Sequence, residues 1–267
     1  MSNSFENEYV VILAGGLGTR LREETEYKPK PLVQIGNLPI IVHLMLYYSG
    51  YGLKKFIVCL GYKGEMLKEY FLNFKYLAND FKLSFKSDKI ELLNGFNNMS
   101  LDWEILFLDT GLNSNTGKRI ALTEKHIDSD YFMVTYGDTL SDVDLISLAE
   151  YHKKMKTIGV LTGVLPHSKY GTMIYEPPGI VTQFQEKPLL QDYVNGGFYR
   201  FSKDLFDFLD VNKNQIFEID VLPELAAKRQ LAVYGHRGFW FAMDTYKDYI
   251  EINEMWNKNY KPWLKKL

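Results

Sequence analysis

The chain has 267 residues and a formal net charge of -2 at pH 7, so it can bury a large core but has no broad cationic surface for nucleic acid. Its one cysteine, Cys59, excludes an internal disulfide and, within an apolar run, favours a buried thiol in a reducing, cytoplasmic setting. The N-terminal residues are mostly polar, and no apolar stretch approaches the roughly 20 residues of a membrane span, so neither a signal peptide nor a membrane partner is predicted.

Apolar runs that alternate with amphipathic segments predict the secondary structure. Strands are predicted at 9–13, 55–60, 103–108, 131–135 and 159–165, and helices at 40–51, 64–74 and 144–156. Asp144 is interpreted as the cap of the last helix, and the polar stretch 79–100 as an irregular segment. This order favours an α/β fold with a Rossmann-like, doubly wound and mostly parallel sheet. Ligands of such a sheet lie beyond the C-terminal ends of its strands.

A glycine-rich turn follows the first predicted strand. The sequence Leu-Ala-Gly-Gly-Leu-Gly-Thr-Arg-Leu occupies 13–21, and Lys-Pro-Lys-Pro follows at 28–31. Such a turn lets backbone N–H groups approach phosphates while cationic side chains neutralise the charge, which indicates a nucleotide site. The glycine spacing matches neither the dinucleotide fingerprint nor the P-loop, so a dehydrogenase with a Rossmann domain is excluded.

Two aspartates end apolar runs and are candidate metal ligands. Asp138 follows the predicted strand 131–135 and Gly137, and Asp244 follows the apolar run 239–243. Hard Mg²⁺ prefers carboxylate and phosphate oxygens and needs only one or two protein carboxylates. A turn or helix-capping role remains the alternative for Asp138. His43 lies among apolar residues at helical spacing and is interpreted as structural.

A third group of polar residues suits a phosphorylated acceptor. Lys187 can bind a phosphate, the adjacent Glu186 can accept bonds from hydroxyl groups, and Asn195 offers both a donor and an acceptor. Gly197 precedes an apolar run and allows close approach of the backbone. The alternatives are a surface ion pair at 186–187 and a simple strand entry at 195–197.

These motifs resemble the sugar-1-phosphate nucleotidyltransferases. The pattern A-G-G-x-G-T-R-L, with a lysine nine positions further on, is similar to the family signature, and the segment Glu-Glu-Thr then Lys-Pro-Lys-Pro is similar to the branch that uses CTP and glucose 1-phosphate. Further similar pieces follow in the same order: Gly61-Tyr62-Lys63-Gly64, Asp109-Thr110-Gly111, Tyr136-Gly137-Asp138, Phe184-Gln185-Glu186-Lys187-Pro188, Asn195-Gly196-Gly197-Phe198 and Met243-Asp244-Thr245. The resemblance covers nearly the whole chain.

The resemblance implies a fold, an activity and partners. The fold is a single nucleotidyltransferase domain over 1–267 with a small sugar-binding elaboration. Residues 1–150 would mainly bind nucleotide, 151–250 would mainly bind sugar phosphate, and 251–267 would form a helical tail that contacts another subunit. The activity is Mg²⁺-dependent transfer from CTP to α-D-glucose 1-phosphate, giving CDP-glucose and pyrophosphate. The implied assembly is a homo-oligomer.

The resemblance also assigns roles to single residues. The catalytic residues would be Arg20, Lys30 and Asp138, and the metal ligands Asp138 and Asp244. The nucleotide-binding residues would be Leu13, Ala14, Gly15, Gly16, Gly18, Thr19, Arg20, Lys30, Thr116, Gly117 and Arg119. The substrate-binding residues would be Tyr136, Gly171, Glu186, Lys187, Asn195 and Gly197.

Two departures from the family pattern concern the substrates. Lys118 stands where the family has a glycine, and Thr139 follows Asp138 where the family has a glycine. We expect Lys118 to contact a phosphate or an acidic acceptor, the alternative being a solvated side chain. Two other functions stay open: CTP-dependent transfer to a different phosphorylated acceptor, and a non-catalytic regulatory subunit that binds nucleotide sugars.

Overall fold

A computed structural model describes residues 5, 7–18, 21–95, 101–168 and 170–264 of the chain. Its strands are β1 Tyr9–Leu13, β2 Gln34–Ile35, β3 Leu38–Pro39, β4 Lys55–Leu60, β5 Asn79–Ser84, β6 Lys89–Gly95, β7 Glu104–Asp109, β8 Tyr131–Tyr136, β9 Thr139–Ser141, β10 Gly159–Val164, β11 Thr172–Glu176, β12 Ile180–Gln185, β13 Val194–Ser202, β14 Leu231–His236 and β15 Trp240–Ala242.

The α-helices lie between these strands and after them. They are α1 Arg22–Thr25, α2 Ile40–Ser49, α3 Gly64–Leu72, α4 Phe74–Leu77, α5 Thr116–Ala121, α6 Leu145–Met155, α7 Leu222–Ala227 and α8 Tyr246–Asn257. Short 3₁₀ turns occupy Lys30–Leu32, Glu124–His126, Lys203–Phe208 and Pro262–Leu264, and a π-helix occupies Phe217–Val221. No helix in the described ranges is long and apolar enough to cross a membrane.

The central sheet has seven strands in the order β14-β10-β13-β8-β1-β4-β7. Strand β13 runs antiparallel to both of its neighbours, and the other strand pairs are parallel. Side chains of β1 alternate between two cores: Val10 and Ile12 belong to the core that contains α2, whereas Val11 and Leu13 belong to the core that contains α7. The predicted α/β fold with a doubly wound, mostly parallel sheet is therefore confirmed.

Strand register brings two predicted motifs to one edge of the sheet. Leu13, the last residue of β1, pairs with Tyr136, the last residue of β8. Beyond this pair, the Gly137 N–H donates to the Leu13 carbonyl at 3.1 Å. The glycine-rich turn and Asp138 therefore leave the sheet side by side, as the parallel topology predicted.

The prediction of an irregular segment at 79–100 is wrong for residues 79–95, while 96–100 lie outside the described residues. Strands β5 and β6 form an antiparallel hairpin in which Phe81 pairs with Leu92 and Leu83 with Ile90. The apolar residues alternate with polar ones, as in a strand with one solvated face. The high polar content concealed this alternation.

The C-terminal segment packs on α2 of the same chain. Trp263 is 1% exposed, and its indole Nε1 donates to Nδ1 of His43 at 3.3 Å. Since Nδ1 accepts this bond, His43 carries its proton on Nε2 and donates it to the Ile35 carbonyl at 2.9 Å. Burial lowers the pKa of His43 to about 4. The structural interpretation of His43 is confirmed, and its contacts secure the chain just after Lys30.

The cap of α6 gives a test of the predicted helix start. Asp144 accepts bonds from the N–H groups of Ile146 and Ser147 at 3.0 and 3.1 Å, which confirms the capping role. Asp144→Ala is expected to lower the free energy of unfolding by about 1 kcal/mol, because two helical donors lose their acceptor. Urea denaturation measures the effect. Glu150→Ala removes the same charge from the exposed side of the same helix and should change stability by less than about 0.5 kcal/mol; equal losses would contradict the capping account.

Candidate active site

A cleft of about 450 Å³ opens at the edge of the sheet where β1 and β8 end. Its lining includes Tyr136, predicted to bind the acceptor substrate, and many residues predicted to bind nucleotide or to act in catalysis: Leu13, Ala14, Gly15, Gly16, Gly18, Lys30, Thr116, Arg119 and Asp138. Gly117 is buried behind this wall, where its N–H donates to the Gln215 carbonyl at 3.0 Å. Thr19 and Arg20 lie outside the described residues.

Lys30 lies between the two predicted metal ligands. Its ammonium group donates to Oδ2 of Asp138 at 2.6 Å and to Oδ1 of Asp244 at 2.9 Å. The side chain of Lys30 is 11% exposed, against 29% for Asp138 and 24% for Asp244. Two prolines flank Lys30 and restrict the backbone, and the Leu32 N–H donates to the Pro29 carbonyl at 2.8 Å to close the 3₁₀ turn. The turn thus fixes where the lysine enters the cleft.

A short strand pair brings together two aspartates that are far apart in sequence. Thr139 of β9 pairs with Ala242 of β15, and the Met243 N–H donates to the Asp138 carbonyl at 3.0 Å. Asp244 then precedes α8, which begins with a capping box between Thr245 and Asp248. The Asp248 carboxylate also accepts from the Asp244 N–H at 3.0 Å. Each acid is therefore held through its own backbone.

The ion triplet determines the charge state of Lys30. Burial lowers the pKa of Lys30, but Asp138 and Asp244 together raise it by more, so the pKa lies above its ordinary value. The ammonium is charged at neutral pH. Because the folded-state pKa is raised, the stabilisation is complete below the unfolded pKa and is lost only as pH rises through the folded pKa.

The two carboxylates suit a divalent cation that is shared with a phosphate ligand. Oxygens of Asp138 and Asp244 already converge on one cationic nitrogen. Within the described ranges, no group of three or more His, Cys, Asp or Glu side chains is placed to hold a metal ion. Mg²⁺ commonly takes one or two carboxylates and completes its shell with water and substrate phosphates. The donor set therefore fits Mg²⁺ together with a nucleotide rather than a metal site made by protein alone.

Arg119 is a buried residue that is hydrogen-bonded to the glycine-rich turn. Its guanidinium donates to the carbonyls of Leu60 at 2.7 Å, Gly15 at 3.2 Å and Leu112 at 3.3 Å, and to the Thr110 hydroxyl at 2.5 Å. Arg119 is 4% exposed, and burial lowers its pKa. A Cβ atom on Gly15 would lie 2.2 Å from the guanidinium. Arg119 thus requires glycine at this position and holds the turn in place.

Glu218 lines the cleft, and sequence reasoning missed it. Its carboxylate accepts bonds from the hydroxyl groups of Thr116, at 2.8 Å, and Tyr136. Burial, Tyr199 and Glu218 all raise the pKa of the Tyr136 phenol. Glu218 lies in a π-helix, whose spacing gives no periodic signal in the sequence.

The predicted acceptor residues fall into two places. Asn195 and Gly197 adjoin the cleft through Tyr136, since a Cβ on Gly197 would lie 2.6 Å from the Tyr136 ring. Glu186 and Lys187 follow the exposed β11–β12 hairpin and form a 3.9 Å ion pair at 64% and 51% side-chain exposure. Gly171 lies beside Glu186 at the base of this hairpin, where Thr172 pairs with Gln185 and a Cβ on Gly171 would lie 3.0 Å from Oε2 of Glu186. The structure does not bring these three residues to the 450 Å³ cleft.

A second cleft lies beside Asp244. Its volume is about 950 Å³, and its lining includes His167, His236, Trp240, Asp244 and Glu251. Asp244 therefore contacts Lys30 of the first cleft and also lines the second one. A ligand in the second cleft would therefore reach the ion triplet through Asp244.

Lys118 does not line the first cleft. The residue lies in α5 with its side chain partly exposed, and its N–H donates to the Gln215 carbonyl at 3.4 Å. The expected phosphate contact therefore has no support in this geometry, which favours the solvated alternative.

Comparison with known proteins shows the family. A family model described as nucleotidyl transferase matches residues 9–259. The chain is 40% identical over 253 residues to the "Probable glucose-1-phosphate cytidylyltransferase" of Bacillus subtilis. The alignment covers 95% of this chain and 98% of that protein. It is 38% identical over 255 residues to the glucose-1-phosphate cytidylyltransferase of Salmonella typhi. That alignment covers 95% of this chain and 97% of the Salmonella protein.

Solved structures show the same fold. The HddC protein of Yersinia pseudotuberculosis superposes with a TM-score of 0.68 at 24% identity, covering 93% of this chain and 99% of that one. UDP-glucose pyrophosphorylase complexed with UDP-glucose gives a TM-score of 0.67 at 20% identity, and the superposition covers 94% of this chain and 99% of that one. The chain belongs to the nucleotidyl transferase family, which confirms the resemblance seen in the sequence, and it is a nucleotidyltransferase enzyme.

Adjacent glycines of the turn give a matched test of the Arg119 support. Gly15→Ala is expected to lower the free energy of unfolding by about 1–3 kcal/mol, because the new methyl group displaces the guanidinium from buried carbonyls. Gly16 has no atom within 4 Å of its Cβ position, so Gly16→Ala should change stability by less than about 0.5 kcal/mol. Chemical denaturation of both variants measures the two changes in the free energy of unfolding. Equal effects would show that Arg119 does not hold the turn.

Proposed function

We propose that the protein transfers a cytidylyl group from CTP to α-D-glucose 1-phosphate, giving CDP-glucose and pyrophosphate. The observation that carries the proposal is the triplet of Lys30, Asp138 and Asp244 beside a glycine-rich turn. The turn suits phosphates, and the acids suit a metal ion. Relatives at 38–40% identity bear the corresponding name.

The first cleft is proposed to bind the triphosphate. Gly16 is exposed and has no atom near its Cβ position, so phosphate oxygens can approach the backbone there. Lys30 supplies the positive charge, together with Arg20 as the resemblance implies. Before the substrates bind, the ammonium offsets part of the negative charge of Asp138 and Asp244. Afterwards it is free to bind a triphosphate oxygen.

The reaction needs alignment and charge neutralisation, and it needs no covalent nucleophile. A phosphate oxygen of the sugar phosphate bonds to the α-phosphorus while the bond to the oxygen bridging the α- and β-phosphorus atoms breaks, and pyrophosphate departs with that oxygen. Asp138 and Asp244 would hold Mg²⁺, which offsets the phosphate charge when bound. Lys30 stabilises the charge on the phosphate oxygens as the transition state forms.

The acceptor is proposed to bind between Asp244 and the Tyr136 wall of the first cleft. Trp240 lines the 950 Å³ cleft together with Asp244 and donates to the Gly196 carbonyl at 2.7 Å, so the segment 195–197 adjoins both clefts. Lys187 is proposed to bind the phosphate, with Glu186, Asn195 and Gly171 around the sugar. These assignments are proposed from the family resemblance. The homo-oligomer and a role for CDP-glucose in surface polysaccharide synthesis are proposed on the same basis, whereas the cytoplasmic location is proposed from the single cysteine.

Pyrophosphate release across a matrix of nucleoside triphosphates and sugar 1-phosphates tests the proposal. The highest kcat/KM is expected for CTP with α-D-glucose 1-phosphate. Higher kcat/KM with another phosphorylated acceptor would establish the alternative that the departures at Lys118 and Thr139 leave open. Nucleotide-sugar binding without turnover of any pair would establish a regulatory subunit.

Removing either acid tests the metal site. Asp138→Asn and Asp244→Asn are each expected to lower kcat at saturating Mg²⁺ by at least about a hundredfold, because a charge that holds the cation is lost. Asp204→Asn, which removes a surface carboxylate, should leave kcat within about twofold. Near-normal kcat in either site variant, with the fold intact by circular dichroism, would remove that residue from the mechanism.

A comparison of Lys30 with the nearby Lys28 tests the role of Lys30. Lys30→Ala should raise the KM for CTP and lower kcat, because its charge acts on both bound and reacting phosphates. Lys28 forms a 2.9 Å ion pair with Glu24, four residues earlier, so Lys28→Ala should have a much milder effect. Steady-state kinetics of both variants give the comparison. A greater loss in Lys28→Ala would mean that the assignments within this loop are reversed.

A further inference from the structure

Glu218 joins two walls of the first cleft. Its Oε2 accepts from the Thr116 hydroxyl at 2.8 Å, and its Oε1 accepts from the Tyr136 hydroxyl. We propose that Glu218 is a positioning residue that fixes the nucleotide wall of the cleft against the acceptor wall. The inference rests on the proposed function for its catalytic consequence, whereas the bridge between the walls stands on the geometry.

On the nucleotide side, Glu218 fixes the start of α5. Thr116 is the first residue of that helix, and its hydroxyl also accepts from the Phe217 N–H at 2.9 Å. The N–H of Gly117 donates to the Gln215 carbonyl at 3.0 Å. The first turn of α5 is therefore bound to residues 215–218 by both side-chain and backbone bonds.

On the acceptor side, a chain of hydrogen bonds with one direction ends at Glu218. Since Tyr136 donates to Glu218, it must accept the 3.0 Å bond from the Tyr199 hydroxyl. Tyr199 in turn accepts from the Asn195 amide at 2.5 Å, and the Asn195 side-chain oxygen accepts from the Gly197 N–H at 3.0 Å. All these donors point toward one carboxylate.

Only a carboxylate satisfies both ends of this arrangement. Thr116 and Tyr136 each donate to a different oxygen of Glu218. A glutamine has one acceptor oxygen, so one of the two hydroxyls would lose its partner. Tyr199 is fully buried and Tyr136 is partly buried, so an unpaired donor there is costly. Glu218→Gln, a substitution of nearly equal size, is thus the sharpest probe.

The consequence for catalysis is alignment of the two substrates. Thr116 belongs to the wall proposed for the nucleotide, whereas Tyr136 and Asn195 belong to the wall proposed for the acceptor. Without the bridge each wall still binds its own substrate, but the attacking oxygen and the α-phosphorus lose their fixed relation. Small misplacement of reactants lowers the rate strongly, so kcat should fall while both KM values change little.

Kinetics of Glu218→Gln, Tyr136→Phe and the double variant test the proposal. Glu218→Gln is expected to lower kcat by about tenfold to a hundredfold, with each KM within about threefold of wild type. The double variant should be no slower than Glu218→Gln, because both changes break the same bridge. The control Glu224→Gln changes a surface acid of α7 that pairs with Lys228 at the end of the same helix, and it should keep wild-type kinetics. Unchanged kcat in Glu218→Gln, a rise confined to one KM, or losses that multiply in the double variant would overturn the proposal.

Amide hydrogen exchange without substrates separates the bridge from the proposed reaction. Exchange should become faster in both 116–121 and 194–198 in Glu218→Gln, and in neither segment in Glu224→Gln. Unchanged exchange in either segment would overturn the bridge even in an active enzyme. Faster exchange in both, with a wild-type protein that turns over no substrate pair, would support the bridge and contradict the proposed function instead.

Discussion

One ammonium group between two carboxylates is the interaction on which the site depends. Asp138 and Asp244 converge on the same nitrogen of Lys30, and none of the three side chains is more than 29% exposed. Two partly buried carboxylates that approach the same atom repel each other unless a cation lies between them. The lysine supplies that cation, and its raised pKa follows from the same contacts.

The surrounding structure places each charge of the triplet through a different rigid element. The 3₁₀ turn between two prolines directs Lys30, the end of β8 directs Asp138, and the capped start of α8 directs Asp244. The β9–β15 pair connects the last two elements. Charges held by backbone elements need little reorganisation when the reaction begins, which is the condition for electrostatic catalysis.

The sequence predicts the parts of the site that follow from sheet topology. The first strand and its glycine-rich turn were predictable because an apolar run ends in glycines, and Asp138 was predictable because parallel strands end at one edge. Glu218 was not, since it lies in a π-helix that belongs to no strand or α-helical pattern. Arg119 matched a family position, but its bonds to backbone carbonyls have no signature in side-chain pattern. Likewise, sequence similarity gave no sign that Glu186 and Lys187 would lie at the base of an exposed hairpin.

We propose that the reaction centre consists of Lys30, Asp138 and Asp244. A crystal structure with Mn²⁺ and a non-hydrolysable CTP analogue tests it most directly, because anomalous scattering locates the metal ion. The account predicts Mn²⁺ between Asp138 and Asp244 with the Lys30 ammonium moved onto a phosphate oxygen. An Mn²⁺ ion bound elsewhere, with Lys30 still bonded to both carboxylates while the analogue occupies the cleft, would contradict it.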